Sequence, residues 1–89
     1  MLIENLKDSH NQIIEGPKII SPIVFDDERG FFYESWNSKI FKDNVENELN
    51  FVQENTSFSK KGVLRGLHYQ LPPFSQGKLV KVSSGSIYD

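Results

Sequence analysis

The chain has 89 residues, with ten Lys and Arg against twelve Asp and Glu for a net charge of -2, and it contains no Cys. That excludes a disulfide scaffold and a thiolate metal site, and it fits a reducing cytosol. The length suits one small domain or part of a larger one, and a domain this short buries only about 60 to 65% of its unfolded surface. With 37% hydrophobic residues, among them seven Phe, three Tyr and one Trp, there is apolar material for a core and too much for a disordered segment.

The charge is unevenly placed. Residues 1–56 carry five cations (Lys7, Lys18, Arg29, Lys39, Lys42) against eleven acids, a balance of -6. Residues 57–89 carry Lys60, Lys61, Arg65, Lys78 and Lys81 against Asp89 alone, a balance of +4. A local positive field suits a small anionic ligand such as a phosphate or pyrophosphate. Nucleic acid is not expected as a partner, because the whole chain is acidic and has no basic helix or aromatic-basic repeat. The start, Met-Leu-Ile-Glu-Asn-Leu-Lys-Asp, puts acids where a signal peptide needs a basic then apolar run, and no later stretch approaches a membrane span. A soluble cytoplasmic protein is expected.

In chain order, Met1 to Gln12 is polar and weakly patterned and reads as an arm or an edge. Pro17 to Phe25 is β-branched and interrupted by Pro22, which predicts an edge strand with a bend. Asp26-Asp-Glu-Arg-Gly30 predicts a turn, and Phe31 to Trp36 a second strand. In that strand Phe32, Glu34 and Trp36 share one face and Phe31, Tyr33 and Ser35 the other, so the two strands form a hairpin. Asn37-Ser38 can cap a short helix near 38–44 whose Ile40 and Phe41 dock on a sheet.

Phe51 to Phe58 alternates, but with an amide-rich face of Phe51, Gln53, Asn55 and Ser57; that face is either solvent or the lining of a polar cavity. Ser59 to Gly62 predicts a turn, Val63 to Gln70 a strand, Leu71 to Gly77 a loop by its two prolines and Gly, Lys78 to Val82 a strand, Ser83 to Ser86 a turn, and Ile87 to Asp89 the start of another strand. Short strands with turns about every ten residues point to an all-β sandwich or barrel. The segmentation is a single incomplete domain, with 1–15 as the arm and 16–89 as half of the sheet structure.

Val63-Leu-Arg-Gly-Leu-His-Tyr-Gln70 concentrates the chemistry. In a regular strand Arg65 and His68 point to opposite faces, whereas a bulge at Gly66 brings a fixed cation and a titratable base to one side. The competing reading is a hydrogen-bonded structural histidine. His10 and His68 are the only histidines, so a multi-histidine metal centre cannot be assembled, and no Gly-rich phosphate loop or activated Ser or Cys nucleophile appears. No metal and no cofactor is expected.

Four stretches, Asp27-Glu-Arg-Gly-Phe-Phe-Tyr-Glu34, Phe51-Val-Gln-Glu-Asn55, Val63 to Gln70 and Gln76-Gly-Lys-Leu-Val80, resemble in order and spacing the N-terminal half of the dTDP-4-dehydrorhamnose 3,5-epimerase family. The resemblance covers nearly the whole chain from Pro17 onward. It implies a cupin-like β jelly roll, of which this is the N-terminal half, a homodimer built through N-terminal strands, and a dTDP-4-keto-6-deoxyhexose substrate inverted at C3 and C5 on the way to dTDP-rhamnose. By the same resemblance His68 is the base and Lys78 the cation beside the keto oxygen. Arg65, Gln53 and Asn55 line the substrate pocket, and Arg29, Phe32 and Glu34 reach the nucleotide end, with Phe32 stacking on thymine. The family's acid and its His-orienting carboxylate lie in the C-terminal half, so the 89 residues alone are expected to be inactive. The alternatives are a non-catalytic dTDP-sugar-binding or interaction module and a related 3-epimerase, 5-epimerase or ketoisomerase.

Overall fold

A computed structural model describes residues 1–89 and divides them into two compact units, Met1–Asn50 and Phe51–Asp89. All the regular structure lies in the first. Its order is β1 (Leu2–Lys7), β2 (Ile13–Ser21), β3 (Val24–Asp27), β4 (Gly30–Tyr33) and α1 (Ser38–Asn44). Strands dominate, as two antiparallel two-stranded sheets, β1 with β2 and β3 with β4. The class is all-β with one short helix.

The first hairpin makes the N-terminal segment an edge strand rather than an arm. Leu2, Ile3, Glu4 and Asn5 pair with Ser21, Ile20, Ile19 and Lys18; the register then shifts, and Lys7 pairs with Ile13. The shift brackets Gly16, at φ +106°, and Pro17, which has no N–H to donate to a ladder. The connection is set by Asp8, whose carboxylate accepts from the N–H groups of His10 (2.8 Å) and Gln12 (2.9 Å). The Gln12 carbonyl in turn accepts from Asp8 N–H at 2.9 Å. Asn11 takes the left-handed conformation that its short amide tolerates. A polar segment thus forms a strand because its turn chemistry reverses the chain onto an apolar, β-branched partner.

The second hairpin forms at the expected turn, but with shorter strands, since residues 18–21 pair with β1 instead. Pro22 and Ile23 break the strand before Val24. Phe25 pairs with Phe32, Asp26 with Phe31 and Asp27 with Gly30, leaving Glu28 and Arg29 as the turn. Gly30, at φ +133°, occupies a conformation that side chains rarely adopt. β4 ends at Tyr33, so the expected extension to Trp36 is not paired. The rings of Phe31 and Tyr33 stack at 6.0 Å and 11° on the face opposite Phe32, as the alternation requires.

Asn37 starts the helix. Its side-chain oxygen accepts from Ile40 N–H (3.1 Å) and its carbonyl from Phe41 N–H (3.0 Å). Lys39 and Asp43, one turn apart, pair at 2.6 Å. The helix turns Phe41 inward to 6% exposure, the one buried hydrophobic side chain, with the Trp36 ring centred 5.0 Å away.

In Phe51–Asp89 the expected strands at 51–58, 63–70, 78–82 and 87–89 are not formed. The turns between them are. Val63 N–H donates to Lys60 C=O at 3.2 Å, with Gly62 at φ +84°, and Phe74 N–H donates to Leu71 C=O at 2.9 Å. A turn closes within four residues, whereas a strand exists only by pairing with another at about 4.8 Å, and these segments pair with none. The chain accordingly exposes 9085 Å². A folded monomer of 10.3 kDa exposes roughly 5,400 Å² and the unfolded chain roughly 15,000 Å².

Replacing Asn37 by Ala removes the cap and is expected to destabilise α1 by about 1 kcal/mol. Loss of amide-exchange protection at Ile40 and Phe41, with the β3–β4 ladder unaffected, is the measurement that checks it.

Candidate active site

His68 and Lys78 come together in Phe51–Asp89. The turn closed by Phe74 N–H on Leu71 C=O reverses the chain between them, and Ser75 Oγ donates to Gln70 C=O at 3.4 Å to draw the ends of the loop together. The two arms border an open pocket of about 280 Å³ lined by His68, Tyr69, Gln70, Ser75, Gln76 and Lys78. The residues along it carry an imidazole, a primary ammonium, two amides and two hydroxyls. Such a set can accept a proton, stabilise a developing oxyanion and hydrogen-bond a sugar.

Arg65 does not join them. Gly66 has φ +129°, but without a ladder there is no bulge to bring Arg65 beside His68. The guanidinium reaches back instead, from Nε to Ser59 Oγ (2.8 Å) and from a terminal nitrogen to Phe58 C=O (2.9 Å), bracing the 58–65 turn. Gln53 Nε2 donates to Asn55 Oδ1 at 3.2 Å, which keeps these amides side by side although no strand forms there, and neither lines the His68 pocket. The cation that lines a pocket with His68 is Lys78, ten residues on, which pattern reading of 63–70 could not find.

In Met1–Asn50 a second concavity, of about 290 Å³, is lined by Met1, Pro22, Ile23, Phe25, Phe32, Glu34 and Ile40. Phe25 and Phe32 are cross-strand partners and face the same side, so the groove is an apolar floor with one carboxylate at its wall. A flat ring fits such a surface. Arg29 lies outside the groove, in the β3–β4 turn, and is bound by Asp27. Oδ1 of Asp27 accepts from Arg29 backbone N–H at 2.8 Å, and the guanidinium contacts the carboxylate at 3.3 and 3.2 Å through Nε and at 2.6 Å through a terminal nitrogen. Asp27 was legible as part of a turn motif, but its grip on Arg29 follows only from the hairpin register.

The Arg29 side chain, then its backbone N–H, hold the Asp27 carboxyl below its ordinary range, and Asp27 raises the guanidinium correspondingly. The ion pairs Asp27–Arg29 and Lys39–Asp43 both lie in Met1–Asn50, so no carboxylate of the chain pairs with His68 or Lys78. No three His, Asp or Glu side chains converge where a metal ion could be held, and no helix is long and apolar enough to cross a membrane.

A lowered carboxyl pKa means the Asp27–Arg29 contact is complete above the unfolded carboxylate range and lost as pH falls through the lower folded value. The Asp27 carboxyl resonance is therefore expected to titrate at lower pH in the parent protein than in Arg29→Ala; coincident midpoints contradict the contact.

Comparison with known proteins adds three findings. A family model described as dTDP-4-dehydrorhamnose 3,5-epimerase matches residues 11–89. Proteins named dTDP-4-dehydrorhamnose 3,5-epimerase are 58% identical over 71 residues in Shigella flexneri (80% of this chain, 39% of the relative), 51% over 71 in Salmonella typhimurium (80% and 39%) and 51% over 76 in Methanothermobacter thermautotrophicus (85% and 40%). The chain thus spans about two fifths of the length of these curated relatives. No solved structure gives a significant match.

Proposed function

The chain belongs to the dTDP-4-dehydrorhamnose 3,5-epimerase family, and from that premise we propose that the whole protein epimerises dTDP-4-dehydro-6-deoxyglucose at C3 and C5 in dTDP-rhamnose biosynthesis. The observation that carries the proposal is the single cavity shared by His68 and Lys78. Both carbons flank the C4 ketone, so their protons are acidified by the carbonyl. The His68 imidazole takes the proton from one face as the C4 oxygen becomes an enolate, and the Lys78 ammonium stabilises the negative charge that forms there. Inversion follows when an acid returns a proton to the opposite face; by the family resemblance that acid, and the carboxylate that orients the histidine, belong to the family sequence beyond residue 89.

The remaining assignments rest on the same resemblance. Arg65, Gln53 and Asn55 hold the sugar and phosphate oxygens, while Phe32, Glu34 and Arg29 take the nucleotide, with the groove floor at Phe25 and Phe32 favouring a stacked thymine. The complete fold is a cupin-like jelly roll, with residues 1–89 a single incomplete domain and its N-terminal half, and the working unit is a cytoplasmic homodimer. A second reading is a dTDP-sugar-binding module, since the hydroxyl- and amide-bearing residues along the His68 pocket, Tyr69, Gln70, Ser75 and Gln76, also suit binding alone.

In the whole protein His68→Asn is expected to lower kcat by about 10² to 10⁴, and Lys78→Met by about 10² to 10³, with dTDP affinity retained. Unchanged turnover in both variants refutes the assignment, and dTDP binding without any turnover in the parent favours the module.

A further inference from the structure

We infer that Asp27 is a positioning residue that holds the Arg29 guanidinium ready for the diphosphate of a nucleotide sugar, an inference that rests on the nucleotide-end reading of Arg29 above. Arg29 sits in a two-residue turn with its side chain 91% exposed. An arginine so placed samples many rotamers, and a ligand that used it would have to order it first. Here the ordering is already done. Asp27 is the last paired residue of β3, opposite Gly30, so its carboxylate is mounted on the ladder rather than on the turn. It fixes Arg29 at two levels, through the backbone N–H at 2.8 Å and through Nε and one terminal nitrogen of the side chain. That leaves the second terminal nitrogen, and the outward N–H of the one that Asp27 holds, at the open end of the guanidinium fork. A planar fork of this kind matches two oxygens of a phosphate.

Charge alone argues the other way, which makes the inference decidable. Asp27 places a negative charge beside the proposed diphosphate site, so a purely Coulombic account has its removal tighten binding. Preorganisation has the opposite sign: Asp27→Asn keeps an oxygen for the Arg29 backbone N–H but loses the second ionic contact that aims the guanidinium. The exposed pair is screened by water and contributes little Coulombic energy in either direction. Ordering of a long side chain is therefore the larger effect, about threefold to tenfold in affinity.

The test is a double-mutant cycle on the whole protein, with dTDP binding measured by calorimetry for the parent, Asp27→Asn, Arg29→Ala and the double variant. Asp27→Asn is expected to weaken dTDP binding about threefold to tenfold in the parent background and to leave it unchanged or slightly tighter in the Arg29→Ala background, with the turnover loss appearing in KM. Equal or tighter binding of Asp27→Asn in the parent background overturns the inference while leaving Arg29 as a ligand. Equal losses in both backgrounds overturn it as general damage to the turn. Full affinity in Arg29→Ala alone overturns it together with the nucleotide-end reading of Arg29.

Discussion

Backbone pairing between neighbouring strands is the constraint on which the rest of this structure depends. Where it is satisfied, at Leu2–Lys7 with Ile13–Ser21 and at Val24–Asp27 with Gly30–Tyr33, side chains acquire fixed faces. Phe25 and Phe32 then share a groove, Phe31 and Tyr33 stack behind them, and Asp27 becomes a mount for Arg29. Where it is not satisfied, from Phe51 onward, the geometry is set by turns and by side-chain braces such as Arg65 on Phe58 and Ser59. The exposed area, 9085 Å², expresses the same division, since apolar residues such as Leu64, Leu67 and Leu71 remain uncovered when no sheet forms around them.

The chemistry inherits this arrangement. His68 and Lys78 line one open pocket because a four-residue turn and the Ser75–Gln70 hydrogen bond close the loop between them. A local device is sufficient to bring an acceptor and a cation to one cavity. It does not exclude water, and the stabilisation an ammonium gives to an enolate grows steeply as water is removed. The proposed proton transfer therefore depends on how the His68 cavity is covered as much as on the two residues that define it.

What could be read from the sequence follows the range of the interaction involved. The β3–β4 hairpin and the helix at 38–44 are encoded locally, by Pro22, by the Asp26–Gly30 turn and by the Asn37 cap, and the structure has them where the pattern puts them. The β1–β2 hairpin was hidden because its register is interrupted at Gly16–Pro17 and because Asp8 sets the turn with its side chain rather than with a Gly dipeptide. The strands expected at 63–70 and 78–82 have suitable composition, but composition cannot supply a partner. The Arg65–His68 pairing failed with them. Lys78 as the partner of His68 came from the four-motif resemblance, whereas the Asp27–Arg29 contact required coordinates.

The most direct test is solvent exchange into substrate. The whole protein and its His68→Ala variant are incubated with dTDP-4-keto-6-deoxyglucose in D₂O, and deuterium at C3 and C5 is followed by NMR. The account predicts incorporation by the parent and none above background by His68→Ala. Incorporation by His68→Ala at the parent rate would contradict it, because the proton would then be leaving through some other group.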